Sequence, residues 1–289
     1  MSTQIELLKK YGLSVRGYAG QHILVDPNMQ RKIVDLLDLK ARERVLEIGP
    51  GLGALTGEIL RRGAKLWAVE KDKQFAAILK KEYRDFILSK RLSIFEGNFL
   101  EFDFQKLRGV GQGKIKVIGN LPYYITAPIL FHLLDGRVLI SEAVLTMQKE
   151  VADRLVACPG SKDYGRLTLA VRYRALVKHH FDIPPACFTP KPEVFSSVVS
   201  LKFHTGPKLL KADEEKRLFD LIRLAFSQRR KTLAHLLVHH SKVPVKREEV
   251  AERLESLNLP PTVRGEELLL KDYIVLAKEF HYCFSSVRA

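Results

Sequence analysis

The segment Gly119-Asn120-Leu121-Pro122-Tyr123-Tyr124-Ile125-Thr126 places an amide, an apolar residue, a proline and two aromatics directly after the apolar run Ile115-Lys116-Val117-Ile118. The run reads as a short buried strand, and the residues at its end have the types needed to handle a poorly nucleophilic amine. The amino group of adenine is such a group, because its lone pair is delocalised into the ring. Two acceptors, the Asn120 side-chain oxygen and the Leu121 carbonyl, would hold the two N–H groups out of plane and restore lone-pair character. Pro122 has no N–H to compete and fixes the bend, while the ring of Tyr123 would stack on the base. The alternative for the same residues is a strand-end turn with a packed tyrosine.

A second stretch carries nucleotide chemistry. "VLEIGPGLGALT" ends a strand in Gly49-Pro50-Gly51-Leu52-Gly53 and enters a helix, so backbone N–H groups face whatever sits at that edge of the sheet. Glu70 closes the next strand 21 residues after Gly49, where a carboxylate can accept from both hydroxyls of an adenosine ribose. Dinucleotides and S-adenosylmethionine both fit this spacing. The dinucleotide fingerprint wants its third glycine where this chain has Ala54 or Thr56, so neither register completes. Glu47, two residues before the first glycine, stands where S-adenosylmethionine-dependent methyltransferases carry an acid, and the spacing therefore favours that cofactor. Asn98, after the third strand, could reach the adenine of the same nucleotide; its alternative is an ordinary turn residue. Methyl transfer moves positive charge from sulfur to nitrogen, so it requires no carboxylate base beside Asn120.

The elements that must position these residues follow from periodicity. Apolar runs at 44–48, 65–69, 92–96, 114–118 and 142–147 alternate with helical periods at 52–62, 73–83 and 127–134. That alternation predicts a doubly wound, Rossmann-like α/β sheet. The β-rich stretches 175–183 and 194–203 are joined by "PPACFTPKP", too short for a helical crossover, and should form an antiparallel hairpin at one edge. After "HTGPK" (204–208) apolar residues recur at three- and four-residue steps, which predicts a small all-helical domain over 207–289 behind a catalytic domain over 1–206.

Composition limits the partners. The 289 residues carry 48 Lys and Arg against 33 Asp and Glu, a net charge of +15. Residues 1–206 hold 32 basic and 21 acidic residues, +11, against 16 and 12, +4, in the remainder. A nucleic acid is the expected partner, contacted from the domain that does the chemistry. No apolar run approaches the length of a membrane span, and the N-terminus lacks the apolar core of a secretory signal. Three scattered cysteines, Cys158, Cys187 and Cys283, and histidine pairs that point to different faces predict a reduced cytoplasmic setting and no metal site.

Taken together, "GQHILVD" (20–26), "EIGPGLGALT" (47–56), "AVEKD" (68–72), "GNLPYYITAPIL" (119–130), "CFTPKPEVFSSVV" (187–199) and "LFDLIRLAFSQRRKTL" (218–233) resemble the KsgA-type ribosomal RNA adenine dimethyltransferases. The last stretch separates that type from the related Erm enzymes. The resemblance implies a class I methyltransferase sheet. It also implies dimethylation, from S-adenosylmethionine, of two adjacent adenosines near the 3′ end of small-subunit rRNA, by a cytoplasmic monomer acting on a pre-ribosomal 30S-type particle. It implies that His22 and Leu24 close the cofactor pocket, Gly49 and Gly51 line it, Glu70 binds the ribose, Asn98 the adenine, and Asn120 both cofactor and target amine. Leu121 and Pro122 complete the catalytic segment, and Tyr123 and Phe188 sandwich a flipped adenine. Arg229-Arg230-Lys231 are expected to contact phosphates. The chain departs from the family pattern at Asn98, usually Asp, at His22, where Asn is also common, and at Gly17-Tyr18, often a basic-Ser pair. An Erm-type enzyme acting on large-subunit rRNA, or a non-catalytic assembly or transcription factor, are the alternatives.

Overall fold

The computed structural model describes residues 3–13, 22–107, 113–204, 210–240 and 245–280. Gly17-Tyr18, Gly20-Gln21, most of "HTGPK" and Cys283 lie outside them. In chain order the elements are α1 (Gln4–Lys10), β1 (Ile23–Leu24), α2 (Pro27–Asp35), β2 (Arg44–Ile48), α3 (Thr56–Arg61), β3 (Lys65–Glu70), α4 (Lys73–Glu82), α5 (Arg84–Leu88), β4 (Leu92–Glu96), β5 (Ile115–Asn120), α6 (Thr126–Asp135), β6 (Ile140–Gln148), α7 (Lys149–Val156), α8 (Arg166–Arg172), β7 (Ala175–Ile183), β8 (Phe188–Thr189), β9 (Ser196–Phe203), α9 (Ala212–Ala225), α10 (Leu233–His240), α11 (Arg247–Ser256) and α12 (Leu270–Glu279). They fall into two compact units, Met1–Asp153 with Arg174–Thr205, and Arg154–Tyr173 with Gly206–Ala289.

The first unit is built on a seven-stranded sheet of order β4-β3-β2-β5-β6-β9-β7. The strands β2 to β6 run parallel, and β9 lies antiparallel to both β6 and β7, which is the expected edge hairpin. Val45, Leu46, Leu66, Val117, Ile118, Val144 and Leu145 are fully buried. Continuous apolar runs are what a parallel sheet needs, because helices cover both faces. Chain order reverses between β2 and β5, so their C-terminal ends open onto the crevice where such sheets bind ligands. Gly119 lies at this point: a Cβ there would stand 3.0 Å from both the Cβ and the carbonyl oxygen of Ile48. Glycine lets the two strand ends approach.

Two departures from expectation matter for the site. The helix read over 52–62 begins only at Thr56, because Gly51 to Leu55 stay in turns that carry the glycine loop past the strand. The proline-rich connection of the hairpin contains β8, whose Phe188 pairs with Leu24 and Thr189 with Ile23 of β1.

The second unit is helical. Tyr164, Leu169, Leu218, Leu221, Leu237 and Tyr273 share one buried core. Residues 154–173, placed by periodicity in the catalytic domain, supply part of that core through α8. Tyr164 donates its hydroxyl to the Leu268 carbonyl at 2.7 Å, and Tyr273 donates to Gly265 at 2.8 Å. Arg229 also works within this unit. It donates to the carbonyls of Lys162 (2.6 Å), Tyr164 (2.8 Å) and Ser161 (3.3 Å) and pairs with Glu266 at 3.0 Å. Its donors are thus engaged in holding the loop before α8, whereas Arg230 and Lys231 are exposed and have no ion-pair partner among the described residues.

Candidate active site

A recess of about 690 Å³, open to solvent, lies at the reversal between β2 and β5. Its walls include His22, Leu24, Glu47, Gly49, Gly51, Glu70, Asn120, Leu121, Pro122 and Tyr123. Gly49 and Gly51 adopt φ of +59° and +57°, and a Cβ on either would meet nothing within 4 Å. Glycine is required there by the backbone conformation, and the space that a side chain would take is left open toward the recess.

Glu70, 5% exposed, accepts from Gly51 N–H at 2.9 Å and from Asp72 N–H at 2.8 Å. It therefore anchors the glycine loop to the end of β3 while retaining lone pairs for a ligand hydroxyl. Burial pushes its pKa upward, and the bonds from Asp72 and Gly51 oppose that shift. Asp72 in turn caps α4, accepting from Gln74 N–H at 2.8 Å and Phe75 N–H at 3.1 Å. Glu47 is 1% exposed, and burial lifts its pKa from 4.5 to about 8; the Thr56 hydroxyl, donating at 2.6 Å, lowers it, and the charge of Glu70 adds to the rise.

The residues of the opening motif are held in place by segments far off in the chain. Asn120 donates its Nδ2 to the His22 carbonyl at 2.9 Å. That bond orients the amide, and among the described residues none donates to its Oδ1. His22 Nδ1 lies 2.7 Å from the Pro190 carbonyl, which can only accept, so the proton is on that nitrogen. Leu121 N–H donates to Thr146 at 2.9 Å, and no described residue donates to the Leu121 carbonyl. The Pro122 carbonyl, by contrast, accepts from Thr126 Oγ1 at 3.2 Å and Ile125 N–H at 3.3 Å. Two oxygens are left unspent, and they are the pair that the spacing singled out. The Tyr123 hydroxyl bonds Ser196 Oγ at 2.7 Å, its ring lies 5.2 Å from that of His22, and burial raises its pKa. It stays neutral at working pH.

Two expected site residues are not brought to the recess. Asn98 Oδ1 accepts from Leu100 N–H and its Nδ2 donates to Glu101, each at 3.1 Å, so the side chain caps its own turn. Phe188 is 3% exposed and packs in the core with Leu24, Ile183, Cys187 and Val198; it adjoins the wall residue Leu24 but does not itself line the recess. Its pairing with Leu24 turns it inward. Sequence reasoning passed over Thr56 and Ser196, which tether Glu47 and Tyr123. A hydroxyl gives no periodic or motif signal of such a role.

The electrostatics choose between ligand classes. Among the described residues no Lys or Arg lines the recess, and two buried carboxyls do. A pyrophosphate here would find acidic groups and no described cation, whereas a sulfonium with an α-amino group would favour the ionised form of both carboxyls. The residues present fit S-adenosylmethionine. Among the described residues no cluster of His, Cys, Asp or Glu could hold a metal ion, Cys158 and Cys187 are free thiols, and no helix is long and apolar enough to cross a membrane.

Comparisons with known proteins agree with this geometry. The profile of the family described as ribosomal RNA adenine dimethylase matches residues 12–259. The ribosomal RNA small subunit methyltransferase A of Halothermothrix orenii is 38% identical over 283 residues, 97% of this chain and 93% of that one. A dimethyladenosine transferase from Plasmodium falciparum superposes with a TM-score of 0.75 at 29% identity, over 90% of this chain and 98% of the other. The 23S rRNA methyltransferase ErmE, at 21% identity, shares the fold with a TM-score of 0.68 over 90% of this chain and 99% of its own.

Proposed function

The chain belongs to the ribosomal RNA adenine dimethylase family and is an S-adenosylmethionine-dependent rRNA adenine methyltransferase; from that premise we propose that it dimethylates N6 of two adjacent adenosines near the 3′ end of small-subunit rRNA. The observation that carries the reading is the pair of unspent acceptors, Asn120 Oδ1 and the Leu121 carbonyl, at the lip of the recess where β5 ends. S-adenosylmethionine, when bound, supplies an electrophilic methyl group.

Each part of the chain has a task in that transfer. Glu70 would accept from the ribose hydroxyls, and Gly49 and Gly51 would leave room for the cofactor to approach the backbone of the loop. His22 and Leu24 close the pocket. Asn120 and Leu121 would take the two N–H groups of the adenine and so free the N6 lone pair from the ring for attack on the methyl group that the cofactor would supply. The surplus proton leaves N6 afterwards, when the nitrogen is an acidic ammonium. Tyr123 stacks on the base, and Phe188 would join it only by turning out of the core. Asn98 would contribute to adenine binding by releasing the cap of its own turn.

Reaching the amine requires an adenosine that is exposed or flipped. The basic surface supplies phosphate contacts, Arg230 and Lys231 of the helical region 207–289 among them. We assign the chain to the cytoplasm as a monomer acting on a 30S-type particle. The test is methyl transfer from labelled S-adenosylmethionine to small subunits from cells lacking this activity, with the modified nucleotides mapped. Two adjacent dimethyladenosines are expected. Modification of large subunits alone would indicate the Erm reaction, and transfer to neither would leave an assembly or transcription factor.

A further inference from the structure

Two exposed aromatic residues, one next in the chain to the recess residue Tyr123 and one next to its partner Ser196, take no part in the contacts described so far. Tyr124 is 58% exposed and Phe195 48% exposed. Their chain neighbours Tyr123 and Ser196 bond to each other at 2.7 Å, so both exposed rings stand one residue from the same hydrogen bond. Their backbones are fixed. Ser196 is buried and pairs with Gln148 and Ile183, Phe195 accepts from Lys149 N–H at 3.0 Å, and Tyr124 lies in the short helical turn that leads into α6. The ammonium of Lys149, whose backbone N–H bonds Phe195, is occupied by Asp153 at 3.0 Å and Asp182 at 3.4 Å.

We propose that Tyr124 and Phe195 form a stacking platform for the nucleotides that flank the target adenosine, with single-stranded RNA bases as the ligand. The inference rests on the rRNA adenine reading. An adenine drawn into the recess leaves its neighbours with an uncovered π face, and a ring anchored at the rim replaces the lost stack. The occupant is a base because Tyr124 directly follows Tyr123, the ring assigned above to the target adenine, and Phe195 directly precedes Ser196, which bonds the Tyr123 hydroxyl. Where the target adenosines are adjacent, the base on the platform is the second adenosine awaiting its turn. The platform thereby orders the two modifications.

The test compares wild type with Tyr124→Ala/Phe195→Ala in single-turnover methylation of small subunits reconstituted with unmethylated rRNA, intact or abasic at the flanking nucleotide. Wild type should lose about 10-fold on the abasic substrate, the size of one missing base stack. The double variant should lose about as much on intact substrate and no more on the abasic one. Its affinity for S-adenosylmethionine, its melting temperature and the slope of particle affinity against salt should match wild type. Equal rates for both proteins on intact subunits, or an undiminished abasic penalty in the variant, would overturn the platform. An equal loss of particle binding with and without the base would assign the rings to a protein surface instead. If wild type methylates neither substrate, the reaction assigned above fails, and the platform is judged separately by quenching of 2-aminopurine at the flanking position, which the variant should relieve.

Discussion

Glu47→Gln keeps the size of a buried side chain and removes its acidity. The Glu47 carboxyl titrates near 8 instead of 4.5, chiefly because burial strips its water. An acid whose pKa rises on folding penalises the fold once the pH exceeds its unfolded value, and the penalty grows until the pH passes the folded value. Between 4.5 and pH 7 the unfolded chain gives up the proton while the fold retains it, over about 2.5 pH units at about 1.36 kcal/mol each. The cost at pH 7 is therefore about 3 kcal/mol. Glutamine carries no such cost and can still accept from Thr56. In urea unfolding across pH 5 to 8.5, Glu47→Gln should gain about 3 kcal/mol over wild type at pH 7 and little at pH 5. Cofactor binding should run the other way: a cationic ligand favours the ionised carboxyl, so wild-type affinity rises with pH toward 8, while the variant is flat over that range. A stability difference of the same size at pH 5 and pH 8 would mean that Glu47 titrates as an ordinary carboxylate, and the electrostatic argument for a cationic ligand would lose its basis.

Four further outcomes follow from the same geometry. Asn120→Ala should lower kcat by ~100-fold or more, the scale of a lost transition-state hydrogen bond, with rRNA affinity nearly unchanged in filter binding. Glu70→Ala should weaken S-adenosylmethionine by ~1.5–3 kcal/mol in calorimetry. Because it also frees the Gly51 and Asp72 N–H groups, it should lower the melting temperature of the unliganded protein. Arg229→Ala should lower the melting temperature without altering the salt dependence of particle binding. Arg230→Ala/Lys231→Ala should do the reverse and flatten the slope of log affinity against log salt by about one to two.

The central strands were readable because residues such as Val45, Leu66 and Val117 are buried on both faces and leave unbroken apolar runs. The acceptor pair at Asn120 and Leu121 was readable because its chemistry depends on consecutive residues. What sequence could not supply was anything fixed by distant pairing. The two-residue ladder of β1 and β8 has no periodicity, yet it turns Phe188 inward, against the role that the family resemblance implies for it. Asn98 was judged from its place after a strand, and its amide satisfies its own turn instead. The glycine loop delays α3 to Thr56 because backbone in positive φ cannot continue a helix, a conformation that composition alone does not reveal. Arg229, expected to contact phosphates, spends its donors on carbonyls more than 60 residues away.

The strap at His22 has a consequence for how the protein is made. Asn120 bonds across 98 residues to the His22 carbonyl, and the His22 ring bonds across 168 residues to Pro190. Contacts of such sequence separation close large loops, whose entropy is lost before the contact returns any energy. The recess therefore has no local precursor: a chain emerging from the ribosome has a complete glycine loop long before it has a pocket. Cofactor binds only where these distant segments have already met, so it slows unfolding of finished molecules without hastening the folding of unfinished ones.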